Sequence, residues 1–595
     1  MKFITVLPFT LCTAFMASTA YAVCTPITSP HERFGVGSIA KIGQSLAMQK
    51  KLKQAQALSL QQLPAPEIML DARSYEVESA SIGVAHNAKR RMAGSDVVEN
   101  MPENNKLSTN AASVIVYPNT ALNDSLNTSR EKYQQLAHNK FLDPALEPLS
   151  TFSTDVDVAS FANVRRIINQ GTLPPVGAVR TEEFINYFDY QYPQPMASDA
   201  LIGLDYELTK SPWNTSAKLL KIVLQAQQVE NRKGSNLVFL IDVSDSMSSA
   251  SKLPLLKKSL NLLTAQLTKN DCVAIVTYAG QANVALNSTL GSAKAKIKRV
   301  INDLQAGGGT NGGNGLELAY QLASTNFIDK GANRILLATD GDFNLGMQNP
   351  TQMKRYIEKK RQGGVSLSVL GFGEGNYNDH LMEELSNAGN GNAAYIDNLQ
   401  EAQKVLVQQL KSNIITVAYD AKLQVEFNPR VIKRYRLLGY ENRLLKQEDF
   451  KNDAKDAGDI GAGQSVTAIY EIFYNTDDMG QSLRYQSKLA RKFDVNGEIG
   501  FVKMRYKKQH NTKSIEYNIV LEQKQLKSLE QSSVNFKLAI AVAAYAEKLR
   551  QSSEMSHFKW QQIIDLAVKG KGDDLFGYRS AFIQQLRLTK LIDKS

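Results

Sequence analysis

Cysteine is scarce in this chain: three occur in 595 residues, at Cys12, Cys24 and Cys272, with no Cys-x-x-Cys spacing. The six histidines are scattered and form no His-Glu-x-x-His pair. That usage argues against a disulfide-dense scaffold and against a zinc site. Also missing are a Gly-Lys-Ser/Thr after any glycine-rich loop and a Gly-x-Ser-x-Gly elbow, so neither a P-loop nucleotide site nor a hydrolase nucleophile turn is expected. No run beyond the N-terminus approaches the roughly 20 apolar residues a bilayer span needs. What is present is ordinary for a globular chain, with 43% hydrophobic and 21% charged residues, and the length allows several domains.

The net charge is +11, and residues 411–595 hold 31 basic against 22 acidic side chains, most of that excess. Residues 235–410 are nearly balanced at 16 and 15. The basic excess therefore belongs to the C-terminal third, where Lys503, Arg505 and Lys507 recur at period two on one strand face. A solvated face is the ordinary meaning of such a pattern. A contact with an anionic envelope surface is the functional alternative, and no motif supports nucleic acid.

Lys2, the apolar stretch 3–17 and Ala20-Tyr21-Ala22 have the form of an export signal cleaved after residue 22, which places the protein in the periplasm or envelope. Cys24 raises a lipoprotein alternative, but Tyr21-Ala22-Val23 lacks the residues such a signal carries. With Cys12 removed, Cys24 reads as a tail thiol and Cys272 as a core thiol, a disulfide between the two being the alternative that spacing does not imply. Residues 23–145 read as a low-order tail, with an amphipathic helix over 44–62 before Pro64.

Order is expected from 146. Asp157 is placed to cap a helix through Gln170 rather than to open a calcium loop, because no glycine or distal glutamate follows at the right spacing. Thr181 opens a second helix, so 146–200 form a small helical domain, and 201–234 supply flanking strands. Across 235–410, short strands apolar on both faces (237–241, 272–277, 335–338, 365–370) alternate with amphipathic helices (252–267, 293–304, 315–323, 352–361, 379–388). This alternation predicts an α/β fold, a doubly wound, mostly parallel sheet covered on both sides. Ligands of such sheets gather at the carboxyl ends of the strands. From 411 the period changes to two, at 422–427, 466–474 and 501–506, then returns to helical spacing after 534. A C-terminal domain of β-strands followed by helices is expected there, its strands pairing with those at 202–226.

At the end of the first central strand stands Asp242-Val243-Ser244-Asp245-Ser246. Gly307-Gly308-Gly309-Thr310-Asn311-Gly312 precedes one helix, and Thr339-Asp340-Gly341 follows a later strand. Together these resemble the metal-ion-dependent adhesion site of von Willebrand factor type A domains, over about residues 235–410. Thr151-Phe152-Ser153-Thr154-Asp155-Val156-Asp157, Asn163-Val164-Arg165-Arg166 and Gly439-Tyr440-Glu441-Asn442-Arg443 resemble the flanks of an exported bacterial subfamily. In that subfamily an N-terminal domain and a C-terminal domain of unknown function bracket the type A domain. The resemblance implies a Rossmann-like fold and a metal set of Asp242, Ser244, Ser246, Thr310 and Asp340.

The residue types suit a hard cation, Mg²⁺ or else Mn²⁺ or Ca²⁺, which takes oxygen ligands and retains water. Three hydroxyls bring no charge, so the ion is expected to recruit an Asp or Glu carboxylate from a protein partner. A Mg²⁺-dependent hydrolase or phosphatase using Asp242 and Asp340 is an alternative, lacking an identified lysine or acid/base partner. A metal-indifferent envelope scaffold is another. The loop after Asp340, with Asp342 and Asn344, and the helix near Asp379 are the elements expected to move, as in relatives where ligand binding shifts the last helix.

Overall fold

The computed structural model describes residues 131–155, 157–195, 200–229, 233–309, 315–341, 350–475, 497–509 and 512–594. The export signal, the helix expected over 44–62, Cys12, Cys24, Thr310, Asp342 and Asn344 lie outside them.

The first described segment ends in a strand, β1 (Leu149–Ser153), followed by helices α1 (Ala159–Asn169) and α2 (Thr181–Asn186) and the long antiparallel pair β2 (Ile202–Lys210) and β3 (Ala217–Ala226). Then comes the alternating region: β4 (Ser235–Asp242), α3 (Leu253–Gln266), β5 (Cys272–Tyr278), β6 (Ala282–Leu290), α4 (Lys294–Asp303), α5 (Gly315–Thr325), β7 (Ala332–Thr339), α6 (Pro350–Arg361), β8 (Ser366–Phe372), α7 (Asp379–Ala388) and β9 (Ala393–Ile396). Its sheet runs β6-β5-β4-β7-β8-β9, parallel throughout except for the β5–β6 hairpin. The strands β4, β5, β7 and β8 are buried almost end to end because helices cover both faces, which gives the two apolar clusters on either side of the sheet. This is the expected doubly wound α/β sheet. The edge strand β6 escaped prediction because Asn283, Asn287, Ser288 and Thr289 break its apolar pattern.

Beyond β9 the chain makes α8 (Leu399–Gln403), a π-helical turn (Lys404–Gln408) and α9 (Leu410–Ile414). The strands β10 (Thr416–Phe427), β11 (Ile432–Leu438), β12 (Gly458–Gly461), β13 (Ser465–Tyr474), β14 (Glu498–Lys507), β15 (Ile515–Glu522) and β16 (Leu526–Lys527) then precede helices α10 (Val534–Leu549), α11 (Trp560–Lys569) and α12 (Tyr578–Ile592). One five-stranded sheet has the order β11-β13-β3-β2-β16; the other is β1-β10-β14-β15, with β12 on β10. They share one core, from Phe152 through Leu220 and Val425 to Tyr470, and so form a sandwich. The expected pairing of the 202–226 strands with the C-terminal region is present as β3 against β13, Val223 opposite Thr467. The N-terminal and C-terminal segments thus build a common body. Helices α1 and α2 likewise share a core with α10 to α12, centred on Phe161, Phe184, Tyr545 and Phe582.

Four sequence expectations are corrected here. Asp157 does not cap α1, whose N-cap is Val158; its carboxylate bonds Arg443 and the Ala393 amide instead. Cys272 is not a free core thiol but is disulfide-bonded. Residues 131–145 are not tail: Lys132 bridges Asn378, and Leu142 exchanges both backbone hydrogen bonds with Tyr435. Finally, Lys503, Arg505 and Lys507 are not simply a solvated face. They pair with Glu426 at 3.1 Å, Asp453 at 3.0 Å and Asp420 at 2.6 Å.

Candidate metal centre

Asp242 ends β4 and Asp340 follows β7, its direct neighbour, so the parallel register brings both aspartates to one sheet edge. Both are fully buried. After Asp242 the chain bends into a 3₁₀ turn, Asp245–Ser248, because the Asp242 Oδ1 accepts the Ser244 amide at 2.9 Å. The bend sets the Ser244 and Ser246 hydroxyls 3.0 Å apart. The glycine-rich loop is stitched alongside: Gly307 N–H donates to Val243 O at 2.8 Å, Asp245 N–H to Gly308 O at 3.1 Å, and Gly308 N–H to Asp245 Oδ1 at 3.2 Å. Gly308, at φ +90°, takes a conformation that side chains disfavour, which is why glycine is needed there. The structure therefore gathers Asp242, Ser244, Ser246 and Asp340, while Thr310 lies just past the last described residue of this loop.

The other carboxylate oxygen of Asp242, Oδ2, is buried and makes no hydrogen bond of good geometry among the described residues, though the Tyr278 hydroxyl stands close enough to act on its charge. Burial, reinforced by the charge of Asp340 and opposed by the Ser244 amide, pushes its acid up to about 6. Two carboxylates buried side by side carry charge that neutral donors offset only in part, and a cation is one way to settle it. Among the described residues no group of three or more His, Cys, Asp or Glu could hold a metal. A cation here would accordingly be served by two carboxylates with serine hydroxyls, the oxygen-rich and charge-poor set that suits Mg²⁺.

One participant was not legible in the sequence. Lys252, at the N-terminus of α3, is 7% exposed and places Nζ 2.8 Å from Asp340 Oδ2. Its stem lies flat on Gly373 (φ +74°), at the end of β8, where a Cβ would fall onto the Lys252 methylenes. Gly341 (φ +99°) presses the Asp340 turn onto the same loop; its Cβ would stand 2.6 Å from Asn376 O. The outer side of that loop is held by the N-terminal segment. Gly375 N–H donates to Glu131 at 3.0 Å, Lys132 N–H to Tyr377 O at 3.0 Å, and Arg166 pairs with Glu131 at 2.9 Å.

Helix α7, which leaves the loop, carries a buried ionic cluster. Arg180 reaches Asp379 at 2.6 Å and Glu383 at 2.9 Å, and Arg443 reaches Asp155 at 2.7 Å, Asp157 at 2.8 Å and Glu383 at 2.9 Å. Burial raises Asp157, Glu183 and Glu383 above the usual carboxylate range despite these cations. The motifs at 151–157 and 439–443 are thereby explained as a fastener between the flanks and the central sheet.

Comparison with known proteins places three family models on the chain: von Willebrand factor over 127–221, von Willebrand factor type A domain over 236–409, and the C-terminal region of the uncharacterized protein YfbK over 412–592. YfbK of Escherichia coli K12 is 45% identical over 473 residues, 78% of this chain and 81% of that protein. Inter alpha-trypsin inhibitor heavy chain 4 of Mus musculus is 30% identical over 171 residues, 27% of this chain and 18% of that one. Among solved structures, a von Willebrand factor type A protein of Catenulispora acidiphila matches 67% of this chain and 91% of its own, at 15% identity and a TM-score of 0.38.

Proposed function

Since this chain belongs to the YfbK family and carries a von Willebrand factor type A domain at its centre, we propose that it is an exported envelope protein that captures a partner through a divalent cation at the end of β4 and β7. The observation that carries this reading is the buried carboxylate of Asp242 beside the paired hydroxyls of Ser244 and Ser246, with Asp340 across the register. Asp242 also fixes the turn that aims the two serines, so a single residue provides charge and geometry. Thr310, in the adjoining loop, is the third hydroxyl of the proposed set. Bound Mg²⁺ would supply an open coordination position for an Asp or Glu carboxylate of the partner.

The chain is a binding protein and not an enzyme. The von Willebrand factor type A domain at its centre supports the binding role. The export signal at 1–22 supports the envelope location. Among the described residues no helix is long and apolar enough to cross a membrane. Titration calorimetry of the full chain with Mg²⁺ and Mn²⁺, beside pull-down from envelope extract with Mg²⁺ or EDTA, tests the reading. Saturable metal binding and metal-dependent capture are expected. Capture indifferent to EDTA, with no metal uptake, would leave a plain scaffold.

A further inference from the structure

A cavity of about 470 Å³ lies where the π-helical turn Lys404–Gln408, the end of α2 and the loop before α12 meet, away from the strand-end aspartates. That volume is in the range that holds small-molecule ligands. Two side-chain donors of its lining residues are unsatisfied. Lys404 is 4% exposed, and its ammonium has no hydrogen-bond partner. It rests 3.1 Å from the ring centroid of Tyr187 and 5.9 Å from that of Tyr578. Gln408, one turn on, leaves Nε2 without an acceptor while its Oε1 accepts the Tyr578 hydroxyl at 3.0 Å.

The carboxylates acting on Lys404 are otherwise engaged. Glu401 holds Arg165 at 2.8 Å and accepts the Tyr187 hydroxyl, and Asp189 accepts the Gln191 amide. Burial lowers the Lys404 ammonium to about 7, a sign that the folded protein stabilises its charge poorly. Native structures seldom leave two such donors unmet within one turn, and π-helical turns recur at functional sites.

The cavity's rim supplies a second observation. Leu575 is 84% exposed and Phe576 is 49% exposed, and both line the opening. The Phe576 carbonyl accepts from Gln400 at 3.0 Å, which fixes this loop to the helix that leads into Lys404. Two adjacent large apolar side chains held in solvent beside a cavity ask for an apolar occupant, while the unmet donors within ask for an acceptor. Tyr578, partly exposed, lines the same opening.

We propose that this cavity receives a small amphiphilic carboxylate, its anionic head met by Lys404 and Gln408 and its apolar body sheltered by Leu575 and Phe576. The proposal does not depend on the metal centre. Titration of the full chain with octanoate and with the neutral 1-octanol tests it. Octanoate should bind saturably, Lys404→Met should weaken octanoate at least tenfold while leaving 1-octanol unchanged, and Phe576→Ser should weaken both. Lys404→Met keeps the stem and removes a buried unpaired charge, so urea denaturation should find it at least as stable as the parent. If it fails to fold, Gln408→Leu takes its place with the same split expected. The proposal is overturned if the parent shows no saturable octanoate binding, or if the variant loses octanoate and 1-octanol alike or neither.

Discussion

Replacing Lys252 by methionine should tighten the binding of a divalent cation. In the parent, two buried carboxylates, Asp242 and Asp340, share the site with one ammonium. A cation that draws on Asp340 must compete with a contact of 2.8 Å. At that separation the attraction between unit charges is roughly 6 kcal/mol for an effective dielectric of about 20. Desolvation of the ammonium offsets most of it. If about a quarter survives, the variant gains about 1.4 kcal/mol of metal affinity, or tenfold. Methionine retains an unbranched stem to lie on Gly373, so the change is chiefly one of charge. Calorimetric titration with Mn²⁺ and Mg²⁺ after chelator treatment would measure the affinity. Thermal melts with and without EDTA give a second reading: the variant should be the less stable protein in EDTA, where a buried carboxylate has lost its ammonium, and should gain more from metal than the parent does. A variant with native circular dichroism and an affinity equal to or below the parent's would refute the competition argument.

Gly373→Ala should act in the same direction, since its Cβ falls where the Lys252 stem runs and must displace it from Asp340; unchanged metal affinity in a folded variant would count against that linkage. Asp242→Ala with Ser244→Ala should abolish metal binding while the sheet survives, and calorimetry showing undiminished affinity would sink the proposed site. Burial, then the charge of Asp155, holds the Asp157 acid up from 3.8 to about 8 against the pull of Arg443, so the folded chain keeps this proton to higher pH than the unfolded chain does. Its contribution is therefore fully present below about pH 4 and lost as the pH rises through about 8. Urea melts from pH 5 to 9 should show stability falling with pH, with the slope reduced in Asp157→Asn. Because Lys503 and Arg505 are each paired with a carboxylate, Lys503→Gln with Arg505→Gln should not alter sedimentation with anionic vesicles by more than about fivefold, as exposed pairs are worth ~1 kcal/mol or less.

The central sheet was legible because its strands are apolar on both faces and its helices show one apolar stripe, so period and length decide each element. The pair Asp242 and Asp340 was legible for a related reason: in a parallel sheet every strand end of one polarity falls on one edge, so two strand-end aspartates must converge. Lys252 was not, because a lysine at a helix start carries no local signal, and its contact arises from a neighbour 88 positions away. Asp157 misled for the opposite reason. Its local position suits a cap, but Arg443, 286 positions on, is the stronger partner for a buried carboxylate. Residues 131–145 looked like linker because what fixes them is scattered: backbone bonds of Lys132 and Leu142, the Glu131–Arg166 pair, and Tyr133, Phe141 and Leu142 packed on elements distant in sequence.

The same contacts bear on which elements of the site can move. The sequence singles out the helix near Asp379 as mobile, by resemblance to relatives. Here α7 is tied to the flanks by Arg180 through Asp379 and Glu383, and by Arg443 through Glu383. These guanidiniums are 2% and 9% exposed, and any slide of α7 must part buried charges without water to replace them. The loop before α7 is held from outside by Glu131 and from inside by the Gly341 turn and the Lys252 stem. The Asp340 carboxylate and the 373–378 loop are thus joined by a contiguous chain of contacts, Asp340 to Lys252 to Gly373. The cheapest response to a cation is then a local one, rotation of the Lys252 side chain off Asp340, because the alternative breaks an ion cluster that four segments of the fold hold in common.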